Sequence, residues 1–239
     1  VAFGTLVQLV LEDAPSEQLD EVIGFCCEVG LPVTLAQIGV TDVTPEKVRA
    51  VAEAAEALRE GQIIIYPTDT LYAFGCDGLN NRAIERLCRI KGIDPAKNLL
   101  AIVCADISEA AEYARIDNAA YRILRRYLPG PYTFILPASL KLPKVFKGRK
   151  SVGIRIPDNS FSIALARELG GPVMTSSVTP DDDADLTDAE AIALKYDGTA
   201  DLDLTIDGGP GHTTGSTVVD LTDSTEPSIL RQGLGEFAL

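Results

Sequence analysis

The sequence predicts a mixed α/β fold, of the α/β or α+β type, that is preceded by a short helical segment. Three observations support this prediction. Beyond residue 61, apolar runs of strand length alternate with helical stretches, which is the pattern of helices packed on a sheet. Before residue 61, the apolar spacing is helical. Apolar residues make up 46% of the chain, which is enough to form a substantial core.

The segment before residue 61 predicts helices with recognisable ends. Residues 1–11 are rich in apolar side chains, and residues 16–29 repeat such side chains at helical spacing. A further helix has Thr44 as its N-cap, Pro45 at its first position and Gly61 just beyond its last turn. These signals predict a helical segment ahead of the sheet, in which the helices at residues 16–29 and from Thr44 have defined ends.

The remainder of the chain predicts strands and helices in alternation. The predicted strands are short apolar runs at residues 63–66, 99–104, 132–136, 152–156, 172–176, 202–206 and 216–221. The predicted helices are at residues 82–91, 108–114, 118–127 and 160–169. The acidic segment 181–188 leads into a further helix, and a glycine-rich loop spans residues 207–215. A large mixed sheet flanked by helices follows from this order.

The composition argues against several classes of protein. No apolar run approaches the roughly 18 residues that a membrane span needs, and the first residues lack the basic start of a signal peptide. Five scattered cysteines and the single His212 argue against a disulfide framework and a zinc site. We therefore expect a cytoplasmic protein with reduced thiols, without membrane contact and without a metal site built from protein side chains.

The charge is divided unevenly along the chain. The net charge is −14, which by itself disfavours nucleic-acid binding. Residues 82–155, however, hold fifteen Lys and Arg against six Asp and Glu, a net +9 that leaves −23 for the rest. This polarity predicts either one face built for a polyanion or solvated helix faces whose charges are scattered. The residues leave both interpretations open.

The densest chemical signal is the segment IIIYPTDTLYAFGCD at residues 63–77. A buried strand runs into Pro67, Thr68, Asp69 and Thr70, which brings two hydroxyls, one carboxylate and backbone N–H groups to a strand end. Ligands of open α/β sheets usually bind at strand ends, and such a turn can hold a small polar ligand. From the residues alone, a turn that caps the strand is an equally good interpretation.

Several motifs together resemble the YrdC/YciO family. They begin with YPTDTLYAFGCD and continue in order with RLCRIKG, PGPYTFIL, VGIRIPDN, GGPVMTSS, STVVDLT and ILRQG. The number of motifs and their common order make chance similarity a poor explanation. The resemblance implies a YrdC-like twisted mixed sheet that encloses a deep, positively charged central cleft. We predict residues 55–239 as this domain.

The resemblance also implies an activity and a set of site residues. The best-known members of the family use L-threonine, bicarbonate and ATP to make threonylcarbamoyl-adenylate for tRNA modification. The implied catalytic residues are Thr70, Lys91 and Ser176. The residues implied to bind threonine or the nucleotide are Pro67, Thr68, Asp69, Tyr72, Lys97, Arg155, Thr175, Ser216 and Arg231.

The chemistry of adenylation agrees with this set of residues. Cations must hold the triphosphate and neutralise the charge of the leaving pyrophosphate. The candidate cations are Lys91, Lys97, Arg155 and Arg231. Mg²⁺ needs few protein ligands, since phosphates and water supply most of its shell. No nucleophile is required of the enzyme, because the carbamate oxygen attacks the α-phosphate.

Two departures from the synthases of the family predict a loss of full activity. Where the synthases carry Lys-x-Arg, this chain has Ile93 after Lys91, and where they carry Ser-x-Asn, it has Val178 after Ser176. Loss of one charge-stabilising donor can cost on the order of 10²–10³ in rate. The pattern resembles the YciO branch, and we predict weak or altered synthase chemistry. The alternative is a paralogue that binds double-stranded RNA or tRNA without efficient catalysis.

Residues 1–54 resemble part of the helical C-terminal domain of metal-dependent glycerol dehydrogenases. This resemblance ends within the helix that starts at Thr44, and the YrdC-like resemblance begins near Ala55. We therefore hypothesise a fusion through one continuous helix. No dehydrogenase activity follows, because no His precedes His212 and no GxGxxG motif is present. The segment is predicted to serve as packing or as an interface, and no oligomeric state is predicted.

Overall fold

The computed structural model describes residues 2–31, 33, 44–95, 98–142, 146, 149–178, 187–196 and 202–238. The chain divides into two compact units, Val1–Val48 and Arg49–Leu239. The predicted boundary between residues 54 and 55 stays a prediction, as does the origin of the first segment. Among the described residues, no helix is both long and apolar enough to cross a membrane.

The first unit contains two helices, of which the second lies in the range predicted from apolar spacing and the first in the apolar-rich stretch before it. Helices α1 (Ala2–Leu11) and α2 (Ser16–Glu28) pack against each other. Leu6 of α1 and Cys26 of α2 are both buried, so each helix directs one apolar side toward the interior.

Helix α3 (Pro45–Arg59) has the ends that the sequence predicts. The Thr44 Oγ1 atom accepts a hydrogen bond of 3.3 Å from the Lys47 N–H, which satisfies a donor that a helix start leaves unpaired. Gly61 follows the helix with a φ of 81°, in the left-handed region that glycine adopts at little cost. The second half of the helix is buried through the side chains of Ala54, Ala55, Ala57 and Leu58.

The second unit is organised around one mixed sheet. Its strands are β1 (Ile64–Tyr66), β2 (Ala73–Asp77), β3 (Ala101–Val103), β4 (Tyr132–Pro137), β5 (Ser151–Arg155), β6 (Val173–Ser177), β7 (Leu204–Thr205), β8 (Thr217–Asp220) and β9 (Ser228–Arg231). Within the described residues these nine strands have the order β7-β1-β2-β6-β3-β5-β4-β8-β9. The pairs β1–β7, β3–β5 and β4–β8 are parallel, and the other neighbours are antiparallel. The predicted mixed sheet is confirmed.

Helices cover the two faces of this sheet unequally. On one face, α4 (Asn81–Ile90), α5 (Ile107–Tyr113), α6 (Asn118–Tyr127) and α8 (Ala189–Lys195) form an apolar core with strands β1 to β6 and β8. On the other face, α3 and α7 (Ser160–Leu169) pack over β1, β2, β3 and β6. Among the described residues, this second core has no side chain from β4 or β5. By strand alternation, the second face of those strands carries Thr133, Ile135 and Pro137 of β4 and Ser151, Gly153 and Arg155 of β5.

Strands β2 and β9 are not predicted from the sequence. Gly75 and Asp77 weaken the strand propensity of β2, but pairing with β1 on one side and β6 on the other holds it extended. Strand β9 has only four residues, all exposed, which is too short for a periodic pattern. The strand predicted at 202–206 is shorter than expected, and the acidic segment at 181–188 lies mostly outside the described residues.

Candidate functional site

The PTDT turn (residues 67–70) follows β1 and closes on itself. The Thr68 hydroxyl donates to the Leu71 carbonyl oxygen at 2.6 Å, and its oxygen accepts from the Thr70 N–H at 3.1 Å. The Oγ1 atoms of Thr68 and Thr70 lie 3.2 Å apart, and both residues are buried. These are the bonds of a capping turn, and they also hold both hydroxyls in one place, as a ligand site requires.

Asp69, in the same turn, forms a buried ion pair with Arg155 at the end of β5. The Arg155 Nη2 atom lies 2.8 Å from Asp69 Oδ1 and 3.1 Å from Thr70 Oγ1. Asp69 Oδ2 accepts a further bond of 3.0 Å from the Asp158 N–H. The side chains of Arg155 and Asp69 are only 4% and 6% exposed, so salt screens their attraction weakly. Arg155 Nε is buried without a hydrogen-bond partner among the described residues.

A row of small residues crosses the central strands on the face that carries Arg155. Gly75 of β2 pairs with Thr175 of β6, Thr175 pairs with Ala101 of β3, and Ala101 pairs with Gly153 of β5. A Cβ atom at Gly153 would lie only 3.1 Å from the Ala101 Cβ atom. No side chain in this row is larger than threonine. The Tyr66 ring lies against Gly75, so a ligand could approach the backbone closely only toward Ala101, which is partly exposed.

Lys91 is held at the end of β6. It caps helix α4, and its Nζ atom donates to the Ser177 carbonyl oxygen at 3.0 Å. The same ammonium lies 5.6 Å from the centroid of the Phe74 ring, a favourable position for a cation. Ser177 pairs with Ala73, which follows the PTDT turn closely. The structure thus brings Lys91 and Ser176 to the end of the sheet where this turn lies.

Ser216 and Arg231 form a second polar cluster beside β8. The Ser216 and Thr133 hydroxyl oxygens lie 2.8 Å apart, and both residues are buried. The exposed Arg231 donates to the Ser216 carbonyl oxygen from Nε at 3.1 Å and from Nη2 at 2.8 Å. A Cβ atom at Gly215 would lie 3.4 Å from Arg231 Nη2 and 3.7 Å from Leu71 Cδ1. This cluster therefore lies beside Leu71, the residue that follows the PTDT turn.

The Tyr72 hydroxyl forms hydrogen bonds with the glycine-rich loop of residues 207–215. It donates to the Gly209 carbonyl oxygen at 2.7 Å and accepts from the Gly208 N–H at 3.0 Å. Burial is the largest cause that raises the pKa of Tyr72, so the phenol keeps its proton at neutral pH. The phenol hydrogen is thus already used in a hydrogen bond, and Tyr72 is only 1% exposed, so its predicted contact with a ligand stays a prediction.

The exchange Gly208→Ala is expected to destabilise the glycine-rich loop and the PTDT turn together. A Cβ atom at residue 208 would lie 2.5 Å from Cγ and 2.6 Å from Cβ of Pro67, and the closed proline ring cannot rotate away. Such overpacking should lower the free energy of unfolding by about 1–3 kcal/mol, as measured by urea denaturation. The control is Gly171→Ala, whose Cβ would meet Leu79 Cδ1 at an ordinary 3.6 Å. Equal stability of the two variants would show that the loop does not pack on Pro67.

The two departures from the synthase pattern lie in the core of the helical face. Val178 is completely buried there, and its N–H donates to the Tyr72 carbonyl oxygen at 2.7 Å. Ile93 packs against the same core and is partly buried. Both aliphatic side chains therefore stabilise the interior. The predicted cation Lys97 lies outside the described residues, and the predicted contact of Arg155 with phosphates stays a prediction.

Three further residues of the site are not predicted from the sequence. Ser162 of α7 is buried and donates to the Pro67 carbonyl oxygen at 3.0 Å. The Asp158 N–H binds the carboxylate of the buried ion pair, and the Tyr66 hydroxyl donates to Thr175 Oγ1 at 3.0 Å. Asp158 lies within the VGIRIPDN motif and Tyr66 directly precedes the PTDT turn. Their place within or beside these motifs is the signal that could have indicated them.

Two cavities, of about 270 and 330 Å³, lie along helix α6. The first is lined by Arg115 and Asp117 among others, and the second by Arg122, Arg126 and Tyr127 among others. None of the predicted site residues lines either cavity. In the part of the chain that the structure describes, no group of three His, Cys, Asp or Glu residues could hold a metal ion. All five cysteines are free thiols.

The chain matches known proteins over most of its length. The model of the Sua5/YciO/YrdC family, described as "Telomere recombination", matches residues 56–233. The YciO protein of Escherichia coli K12 is 37% identical over 191 residues, which cover 79% of this chain and 91% of YciO. The crystal structure of E. coli YciO superposes with a TM-score of 0.73 at 36% identity, covering 81% of this chain and 93% of that one.

Relatives with a named activity match at slightly lower identity. The threonylcarbamoyl-AMP synthase of Bacillus subtilis is 34% identical over 200 residues, which cover 82% of this chain and 57% of the synthase. The structure of Pyrococcus abyssi Sua5 complexed with L-threonine is 31% identical with a TM-score of 0.69, covering 77% of this chain and 54% of Sua5. The matched family model, the identity with YciO and the shared sheet show that the chain belongs to the Sua5/YciO/YrdC family.

Proposed function

We propose that the chain binds ATP and L-threonine at the end of the sheet formed by β1, β2 and β6, and that it catalyses a weak or altered form of L-threonylcarbamoyladenylate synthesis linked to tRNA modification. The observation that carries this proposal is the Lys91 ammonium, fixed at the Ser177 carbonyl oxygen next to Ser176. A fixed cation beside hydroxyls suits a triphosphate. Further support comes from the Sua5 relative, which was solved with L-threonine.

The proposed reaction requires no nucleophile from the protein. The amine of L-threonine attacks the carbon of bicarbonate with loss of water, which gives a carbamate. A carbamate oxygen then attacks the α-phosphorus of ATP, the bond to the bridging β-phosphate oxygen breaks, and pyrophosphate leaves. Lys91 would neutralise the charge that develops on the phosphates. Mg²⁺ would be held by the phosphates and water.

Calorimetric titration with ATP, in the presence and absence of L-threonine, tests the binding part of this proposal. We expect ATP to bind, and to bind more tightly with L-threonine, because the two ligands would share one site. Release of pyrophosphate that depends on L-threonine and bicarbonate tests catalysis. The absence of ATP binding under both conditions would overturn the proposal. Binding without pyrophosphate release would restrict the protein to nucleotide binding.

Ile93→Arg is expected to raise the rate of pyrophosphate release by on the order of 10²-fold, the usual worth of one charge-stabilising donor. Ile93 is only partly buried, so an arginine can extend its guanidinium toward the phosphates near Lys91.

Val178→Asn should instead lower the free energy of unfolding by about 1–3 kcal/mol, because its amide would be buried without partners. Urea denaturation of both single variants and the double variant separates these effects. An unchanged rate in a folded Ile93→Arg variant would place the lost activity elsewhere in the site.

Binding of double-stranded RNA or tRNA is the second candidate function. The observation in its favour is a group of exposed arginines on two helices. They are Arg82 and Arg89 on α4, and Arg122, Arg125 and Arg126 on α6. Affinity for RNA should fall by roughly one log unit per log of salt for each phosphate contacted. Titration of a short RNA duplex at several salt concentrations measures this slope, and an affinity that does not change with salt would contradict this candidate.

A further inference from the structure

Tyr66, the last residue of β1, reaches across its neighbouring strand while completely buried. Its ring lies against Gly75, where a Cβ atom would be only 2.8 Å from the ring carbon Cε1. Its hydroxyl extends one strand further and donates a hydrogen bond of 3.0 Å to Thr175 Oγ1. Glycine at position 75 therefore makes room for the ring, and the ring determines where the phenolic oxygen lies.

The direction of this hydrogen bond follows from burial. Burial is the largest cause that raises the pKa of Tyr66 to about 12, so the phenol keeps its single proton at neutral pH. The Thr175 Oγ1 atom accepts the hydrogen bond from this phenol, and its own hydroxyl hydrogen must therefore point to another acceptor. Because Thr175 is only 5% exposed, few orientations are open to this hydrogen.

The Thr175 hydroxyl belongs to the row of small residues in the candidate site. Ala101 is its partner in β3 and Gly153 follows in β5, so no side chain larger than a methyl group stands beside it in that direction. Two residues further along β6, the Ser177 carbonyl oxygen holds the Lys91 ammonium. Thr175 is therefore on the strand that fixes the cation proposed for the phosphates.

We infer that Tyr66 is a positioning residue, which orients the Thr175 hydroxyl so that its hydrogen is donated to an acceptor oxygen of the bound nucleotide. This inference rests on the proposed function and adds a neutral donor to the cation that Lys91 supplies. Tyr66 acts only through Thr175 and does not itself contact the nucleotide.

Tyr66→Phe tests this role, since it removes the phenolic oxygen and keeps the ring. With ATP as the probe, calorimetry should show roughly tenfold weaker binding, the effect of one hydrogen bond to a charged group. Thr175→Val should give the same loss, and the double variant no further loss. Tyr113→Phe is the matched control, because Tyr113 is buried in the core of the opposite face with its pKa also raised to about 12. Additive losses in the double variant would overturn the inference.

A second measurement needs no ligand. Three-bond NMR couplings of the Thr175 side chain report its χ1 rotamer in the protein alone. Tyr66→Phe should change them toward a rotamer average, and Tyr113→Phe should leave them unchanged. Unchanged couplings in Tyr66→Phe would overturn the inference. If the wild-type protein binds no ATP, calorimetry overturns the proposed function, while these couplings still decide whether Tyr66 orients Thr175.

Discussion

Asp69→Ala is expected to lower the free energy of unfolding by about 3–5 kcal/mol, the usual effect of breaking a buried ion pair from one side. The exchange leaves the Arg155 guanidinium, whose side chain is 4% exposed, without its carboxylate, and an unpaired charge is costly to keep out of water. It also removes the acceptor of the Asp158 N–H, which connects the PTDT turn to the residues after β5. Urea denaturation measures the loss.

Glu112→Ala is the matched control for removing a carboxylate from an ion pair. The Glu112 Oε2 and Lys141 Nζ atoms lie 2.9 Å apart, but the two side chains are 52% and 63% exposed. Water screens such a pair, so its loss should cost about 0–1 kcal/mol. A cost for Asp69→Ala no larger than that for Glu112→Ala would show that the Asp69–Arg155 pair is hydrated in solution.

Replacing both members of the buried pair separates stability from function. Asp69→Ala combined with Arg155→Met should recover most of the lost stability, because apolar replacement of a buried ion pair is often neutral or favourable. The ATP affinity of this stable variant then reports on the pair as a whole. Weaker ATP binding would assign the Asp69–Arg155 pair to the ligand site, and unchanged binding would restrict it to stability.

Lys91→Met is expected to weaken ATP binding roughly 10- to 100-fold, since a hydrogen bond from a charged donor contributes about 1.5–3 kcal/mol. Pyrophosphate release should slow by on the order of 10²–10³. Methionine keeps an apolar stem beside Phe74 and removes the charge that is fixed at the Ser177 carbonyl oxygen. Calorimetry and a pyrophosphate assay, with a thermal melt to verify folding, measure both effects.

Lys141→Met provides the control for this exchange. It removes the same charge from a lysine that is 63% exposed and paired with Glu112, so both the affinity for ATP and the rate should remain at the wild-type level. A folded Lys91→Met variant that binds ATP as the wild type does would contradict the role proposed for Lys91.

Local signals in the sequence were sufficient for most of the fold. Thr44 and Gly61 mark the ends of α3 because capping and left-handed backbone depend on neighbouring residues alone. Strand β2 was not predicted, because its extended state depends on pairing with β6, which follows about a hundred residues later. Strand β9 was not predicted either, because it is short and lies at the edge of the sheet.

Ordered motifs and apolar periodicity are readable along the chain, so the family, the mixed sheet and the short list of polar residues follow from the order of the residues. Which of these residues meet depends on the folded chain. Asp69 pairs with Arg155, which lies 86 positions later in the chain, and the Tyr72 hydroxyl donates to Gly209, which lies 137 positions later. Such partners are chosen by burial, since a charge or hydroxyl that loses water must be paired wherever the folded chain brings a partner.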